Sequence, residues 1–319
     1  MNPLSALYGA GMALRNALFD RGVLPTLRLE QPVVSVGNIS AGGAGKTPFV
    51  IALGELLKQR GIIFDVLSRG YGRKSRGVFV VDPQGTASEY GDEPLLIARK
   101  LGVPVIVGES RYDAGLAAEQ KFSQSRLHLL DDGFQHRGLA RNFDIVLMTA
   151  SDFEDRLLPA GRLRESLSSL RRADAIVLPR ELAVEDQGLR GRPMWRMTRE
   201  TLLSAVPQCP IVFCALARPQ QFFTQVRATG IVPVAEVVFR DHHAYHERDI
   251  QRLLRMRKEL GSRGFVTTEK DMVNLGDLRA GLEAVAVAGL KLTIDRSDEL
   301  VDTILTRIAE RKPGLVRKS

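Results

Sequence analysis

The stretch from Val33 to Val50, V-V-S-V-G-N-I-S-A-G-G-A-G-K-T-P-F-V, constrains the fold of this chain more than any other. Val33 to Val36 is an apolar, β-branched run of the kind buried in a parallel sheet. Glycines follow it and let successive backbone N–H groups converge on one point. From about Pro48 the pattern turns helical, with proline where a helix has no use for the missing N–H. Strand, glycine-rich turn and helix in that order make a cradle for phosphate. Residues Ser40, Ala41, Gly42, Gly43, Ala44, Gly45, Lys46 and Thr47 would surround the anion, Lys46 as a point charge and Thr47 as a hydroxyl for Mg²⁺. Ser40 stands where the general pattern G-x-x-x-x-G-K-[ST] has its first glycine, so the match is G-G-A-G-K-T with its context. A glycine-rich turn without nucleotide is the alternative.

A strand–helix rhythm continues after this loop. A helix to about Arg60 and a strand from Ile62 to Leu67 lead into Ser68-Arg69-Gly70-Tyr71-Gly72-Arg73-Lys74, a basic loop at the strand end where open α/β sheets bind ligands. Gly91-Asp92-Glu93-Pro94 opens the next helix, and locally Asp92 reads as its N-cap. Strands at Val103–Val107 and Leu127–Leu130 follow, the second ending in Asp131-Asp132-Gly133-Phe134-Gln135-His136. Carboxylates at a strand end beside a phosphate loop suit Mg²⁺, which needs hard oxygen ligands. The loop Leu158 to Glu165 offers Arg162 and Arg164 for phosphates and Glu165 for metal or water, or is a solvated turn. The expected fold is a P-loop NTPase-like α/β domain, with a doubly wound, mostly parallel sheet over residues 23–185. A linker is expected at 186–208, where the rhythm lapses, and a smaller α/β domain at 209–319.

Residues 3–20 carry Leu4, Leu7, Tyr8, Met12, Leu14, Leu18 and Phe19 mostly at helical spacing, so 1–22 is expected as an amphipathic helix. It either packs on the protein's own core or lies in a membrane interface, where Arg15, Arg21 and Arg28 would meet anionic head groups. Three of the five histidines fall in Asp241-His242-His243-Ala244-Tyr245-His246. Neighbouring histidines on an extended segment point opposite ways, which favours one acid–base histidine over a metal cluster.

The 319 residues carry a net charge of +8, which favours an acidic partner: nucleic acid, an anionic membrane or a phosphorylated substrate. No aromatic-rich basic motif supports nucleic acid, and none is expected as partner. Cys209 and Cys214 are read as reduced core thiols. No apolar run is long enough for a membrane span and no secretory signal is present, so the chain is expected to work on the cytoplasmic side.

In order and spacing, Val36-Gly37-Asn38 through Thr47-Pro48, Ser68-Arg69-Gly70-Tyr71-Gly72, Gly91-Asp92-Glu93-Pro94, Asp131 to His136, Asp241-His242-His243 and Thr267-Thr268-Glu269-Lys270-Asp271 resemble the tetraacyldisaccharide 4′-kinases, the lipid A 4′-kinases of Gram-negative bacteria. The resemblance covers nearly the whole chain, and that family shares the departure at Ser40. It implies transfer of phosphate from ATP, with Mg²⁺, to the 4′-hydroxyl of a tetraacylated glucosamine disaccharide 1-phosphate. The work would be done at the cytoplasmic face of the inner membrane by a peripheral or monotopic protein with no obligate protein partner. It further implies phosphates held by Lys46 and the loop amides, metal by Thr47, Asp131, Asp132 and Glu165, and a proton taken by Asp92 paired with a histidine, His242 chosen over His243. Ser68, Arg69, Tyr71, Arg73, His136 and Arg164 are the expected substrate contacts, and a lipid substrate favours the interfacial reading of the first helix. The rival is a nucleotide-switch ATPase of the partitioning or metal-delivery class. Its K-G-G-x-G-K-T loop needs a lysine where this chain has Ala41.

Overall fold

The structure, a computed structural model, describes residues 3–182, 189 and 192–311. In chain order its elements are α1 (Pro3–Asp20), β1 (Val33–Asn38), α2 (Lys46–Gln59), β2 (Asp65–Ser68), β3 (Phe79–Val80), α3 (Ala87–Tyr90), α4 (Asp92–Leu101), β4 (Val105–Val107), α5 (Arg111–Lys121), β5 (His128–Asp131), β6 (Phe143–Leu147), β7 (Ala175–Pro179), β8 (Met194–Leu202), β9 (Ile211–Cys214), α6 (Pro219–Ala228), β10 (Ala235–Val238), α7 (Glu247–Glu259), β11 (Phe265–Thr268), α8 (Glu269–Leu275), β12 (Val285–Ile294) and α9 (Ser297–Arg311). The strands form one sheet in the order β10-β9-β11-β12-β8-β7-β6-β1-β5-β2-β4-β3. Only the β12–β8 and β3–β4 pairs in it are antiparallel.

Strand β1 is buried at all six positions, because helices cover both faces of the sheet. With side chains alternating between faces, Val34 and Val36 join the layer of α2, α4 and α9, while Val33 joins Ala114 and Ala118 of α5. β1 lies between β5 and β6. The chain winds outward from β1 through β2 and β4, returns to β5, and continues on the other side through β6 and β7. The crevice at this reversal is the usual ligand position of such sheets, and the phosphate loop opens into it.

Beyond β8 the chain builds its second part on β9, β10 and β11. Ile211 and Phe213 pack with Ile250 and Leu253 of α7 on one face, and Val212 and Cys214 with Phe222, Phe223 and Val226 of α6 on the other.

Three features differ from the sequence reading. The stretch expected as a linker contains β8, which pairs with β7 and β12 and makes the sheet continuous; residues 186–188, 190 and 191 of that stretch lie outside the described ones. Trp195 and Met197 are buried on one face of β8, but Arg199 follows them on that face and Arg196 and Glu200 alternate with them, which hides the apolar signal. Strand β12 went unread because Ala286, Ala288 and Gly289 dilute its β-branched residues. The final helix does not stay with the second part: Leu300, Val301, Ile304 and Ile308 of α9 join the core of α2, and Arg60 bonds Asp298 at 2.8 Å and Asp302 at 3.0 Å. Of the two cysteines, Cys214 is buried and Cys209 is exposed.

Helix α1 does not pack on the core by its apolar residues. It docks through polar groups: Ser5 Oγ donates to Leu157 O (3.0 Å), Tyr8 to Arg164 O (3.0 Å), Arg15 to Gln135 O (2.9 Å) and Asn16 to Glu165 (2.8 Å). Its leucines point elsewhere, with Leu7 72% and Leu14 61% exposed.

Candidate active site

Two groups of side chains meet at the carboxyl end of β1, β2 and β5. The first surrounds the phosphate loop. Gly42, Gly43 and Gly45 take φ of 71°, 68° and 79°, which other residues adopt only with strain. Ser40 is not among the left-handed residues; it is buried and bridges Leu163, so glycine is not required there. Gly45 is the N-cap of α2 and no side chain caps it, which leaves the first amides of the helix for an anion. Lys46 Nζ lies 3.1 Å from Asn38 Oδ1 and 3.3 Å from Asp132. Thr47 is buried in the first turn.

Asp131 ends β5 in register with Val36 of β1, which sets the carboxylate pair beside the loop. Ser68 Oγ donates to Asp131 Oδ2 at 3.1 Å, so Ser68 serves the carboxylate. The other oxygen, Oδ1, is buried without a partner. Burial, then the charges of Glu93 and Asp132, push Asp131 up to about 7. Burial also acts on Asp132, but Lys46 and Arg164 outweigh it and hold that carboxyl below its ordinary value. An orphaned buried carboxylate oxygen beside a second carboxylate fits a hard divalent cation. Glu165 is buried too, but its oxygens already accept from Arg172 (2.6 Å), Asn16 (2.8 Å) and Gln135 (3.2 Å). It ties α1 to the loop wall.

A basic rim stands next to this group. Arg69 and Tyr71 are exposed on the loop after β2, whereas Arg73 folds back to donate to Gly77 O at 2.6 Å. Arg111, missed by the sequence reading, is only 6% exposed; burial first, then Arg69, lower it to about 10, and its Nε has no partner. Burial and the charges of Arg111, Arg141, Arg15 and Arg69 lower His136 to about 4, so its ring is neutral at physiological pH.

The second group joins the two parts of the chain. Gly91, with φ 91°, caps α4 in place of Asp92, and packs against Gly70 and Tyr71. Asp92 is therefore the first helical residue, with its carboxylate turned to His242, 150 positions away: Nδ1 is 2.9 Å from Oδ2. Asn274 donates to the same oxygen (3.1 Å), and Lys270 Nζ lies 3.6 Å from it and 3.4 Å from His242 Nε2. Burial would raise Asp92, yet His242, Lys270 and Asn274 outweigh it and hold the carboxyl at about 2. Burial lowers His242, but Asp92 reverses that and the ring ends above its ordinary value. His242 has φ 56°, and Tyr71 meets its ring edge-on at 4.9 Å. His243 is used otherwise, 2.9 Å from Asp249 and stacked on Phe239, and His246 with Asp249 caps α7. Glu93 links the groups: it lies 3.6 Å from Lys270 and its field reaches Asp131. Lys270 and Asn274 carried no local signal beyond the Thr267–Asp271 motif, since the carboxylate they share, Asp92, is more than 170 positions away.

A phosphate loop at the sheet's switch point, a carboxylate pair and a carboxylate–histidine couple define a phosphate-loop phosphotransferase. The family model of tetraacyldisaccharide-1-P 4′-kinase matches residues 1–309, and the chain belongs to that family of kinases. The tetraacyldisaccharide 4′-kinase of Koribacter versatilis is 50% identical over 98% of this chain and 100% of its own length. The enzyme of that name from Aquifex aeolicus is 38% identical over 93% and 95%. A crystal structure of LpxK from Aquifex aeolicus in complex with ATP superposes with a TM-score of 0.78 at 36% identity, covering 96% of this chain and 98% of that one.

Proposed function

We propose that this chain transfers the γ-phosphate of ATP to the 4′-hydroxyl of a tetraacylated glucosamine disaccharide 1-phosphate, with the Asp92–His242 couple as the base. The observation that carries the assignment of roles is that couple, assembled from the two parts of the chain beside the phosphate loop. Phosphoryl transfer needs alignment and charge neutralisation more than covalent chemistry. Lys46 and the free amides of α2 hold the phosphates. Asp131 and Asp132 would hold Mg²⁺ with Thr47; bound there, the ion would neutralise charge on the transferring group. Glu165, which already accepts from Arg172, Asn16 and Gln135, would act by holding Gln135 and α1 in place.

The sugar hydroxyl gives its proton to the couple as its oxygen bonds to phosphorus and the bond to ADP breaks. His242 is the better acceptor, since Asp92 at about 2 holds a proton poorly and serves to orient the ring. Lys270 keeps Asp92 charged through the cycle. Arg69, Arg111 and neutral His136 give the anionic substrate a basic wall beside the carboxylates.

Helix α1 would place the site at an anionic membrane surface on the cytoplasmic side: polar contacts hold one side to the loop wall, and Leu7 and Leu14 face outward. No helix among the described residues is long and apolar enough to cross a membrane, which suits a peripheral or monotopic attachment. The test is transfer of label from γ-³²P-ATP to the lipid disaccharide 1-phosphate. Wild-type protein should label the lipid; absence of labelled lipid removes the assignment.

A further inference from the structure

The phosphate loop is covered from the second part of the chain. A Cβ built on Gly42 would come within 3.0 Å of Ala217, one on Gly43 within 2.7 Å of Arg218, and one on Gly45 within 2.5 Å of Arg199. Arg199, on β8, donates to the carbonyl of Ala44. Arg218, on the turn between β9 and α6, has no such partner: its Nε and Nη2 are shut off from solvent and make no hydrogen bond. The charges that act on it are those of Arg162, Asp152 and Asp155. Neither carboxylate bonds Arg218: Asp155 accepts from the amides of Arg156 (2.7 Å) and Arg162 (3.2 Å), and Asp152 accepts from the amide of Thr149 through Oδ2 (2.7 Å) while its Oδ1 is buried without a partner. Arg162 belongs to the loop's own wall, its carbonyl accepting from the amide of Ala41 at 2.7 Å.

A guanidinium is charged at every physiological pH, and buried N–H groups without acceptors cost free energy. Burial and then the charge of Arg162 depress the Arg218 guanidinium. What Arg218 lacks is an acceptor for its buried N–H groups, and among the described residues it borders the anion site of the phosphate loop. We propose that Arg218, with Arg162 from the loop's own wall, clamps the phosphates of ATP from the second part of the chain. The proposal rests on ATP occupying the loop. A fork of N–H donors would then meet the phosphate oxygens beside Gly43, so nucleotide binding ties the β9–α6 turn to the loop.

The test is titration of the full-length protein with ATP by calorimetry, beside steady-state KM values. Arg218→Ala should weaken ATP binding about tenfold or more, the scale of a lost charged hydrogen bond. Arg218→Lys should recover only part of it, because an ammonium cannot reproduce the fork. Arg162→Ala should weaken it in the same direction, and the KM for lipid should stay put in all three. ATP affinity within twofold of wild type in Arg218→Ala, while Lys46→Ala loses binding, overturns the clamp. Unchanged affinity in Lys46→Ala as well would instead remove ATP from the loop. A variant whose thermal midpoint falls is replaced by Arg218→Gln, which keeps the length of the side chain and for which the same tenfold loss is expected.

Discussion

Replacing Asp92 with Asn separates the two roles of the Asp92–His242 couple. Asp92 is 4% exposed and held from 3.8 down to about 2, so its charged form is favoured by roughly 2 kcal/mol over an isolated carboxylate. His242, Lys270 and Asn274 supply this against burial. Linkage fixes the signs. The lowered Asp92 contributes stability present above 3.8 and lost as pH falls toward 2; the raised His242 contributes stability present below 6.5 and lost as pH rises through its folded value. In the Asn variant the chief force raising His242 is gone, while burial and Lys270 still lower it. Its ring then loses its proton at lower pH, so the acid limb of kcat/KM moves down even as the plateau drops by about 10²- to 10⁴-fold, the range for a general base. A pH series of label transfer reads both quantities. An acid limb that stays in place, or a plateau within threefold of wild type, refutes the couple as the base.

His243→Ala should lower the thermal midpoint through its lost contacts with Asp249 and Phe239, yet leave the pH profile where it is; a moved acid limb would transfer the base to His243. Asp131→Asn should abolish transfer but stabilise the metal-free protein. Because burial raises Asp131 to about 7, wild type bears the cost of a buried charge at alkaline pH, so the gain in midpoint is largest above pH 7 and vanishes toward pH 4. Leu7→Ser with Leu14→Ser should cut co-sedimentation with anionic vesicles several-fold at unchanged midpoint, since both side chains already face solvent; undiminished sedimentation would sink the interfacial role of α1. Arg172→Ala should loosen Glu165 and with it α1, seen as faster proteolysis near Asn16.

What could be read from the residues and what could not divides along sequence separation. The phosphate loop, the Asp131–Asp132 pair at a strand end and the helix starting near Asp92 are local patterns, in which strand, turn and helix signals lie within a dozen residues of the chemistry. Pairing Asp92 with His242 was carried by resemblance alone, because no local rule connects positions 150 apart; the structure supplies the reason in Gly91, whose φ of 91° turns the first residue of α4 toward the second part of the chain. A carboxylate in a basic loop, Glu165 gives no local sign of its donors, because Arg172, Asn16 and Gln135 come from three different segments. The same blindness hid β8. Trp195 and Met197 are buried on one face of β8, but Arg199 follows them on that face and Arg196 and Glu200 occupy the other, so the strand looks like a solvated linker. Arg199 stands where a third apolar residue would complete the alternation, and it reaches the carbonyl of Ala44 in the phosphate loop. The residue that spoils the strand signal is thus the one that joins β8 to the phosphate loop, so a site shared between two segments is least visible where they touch.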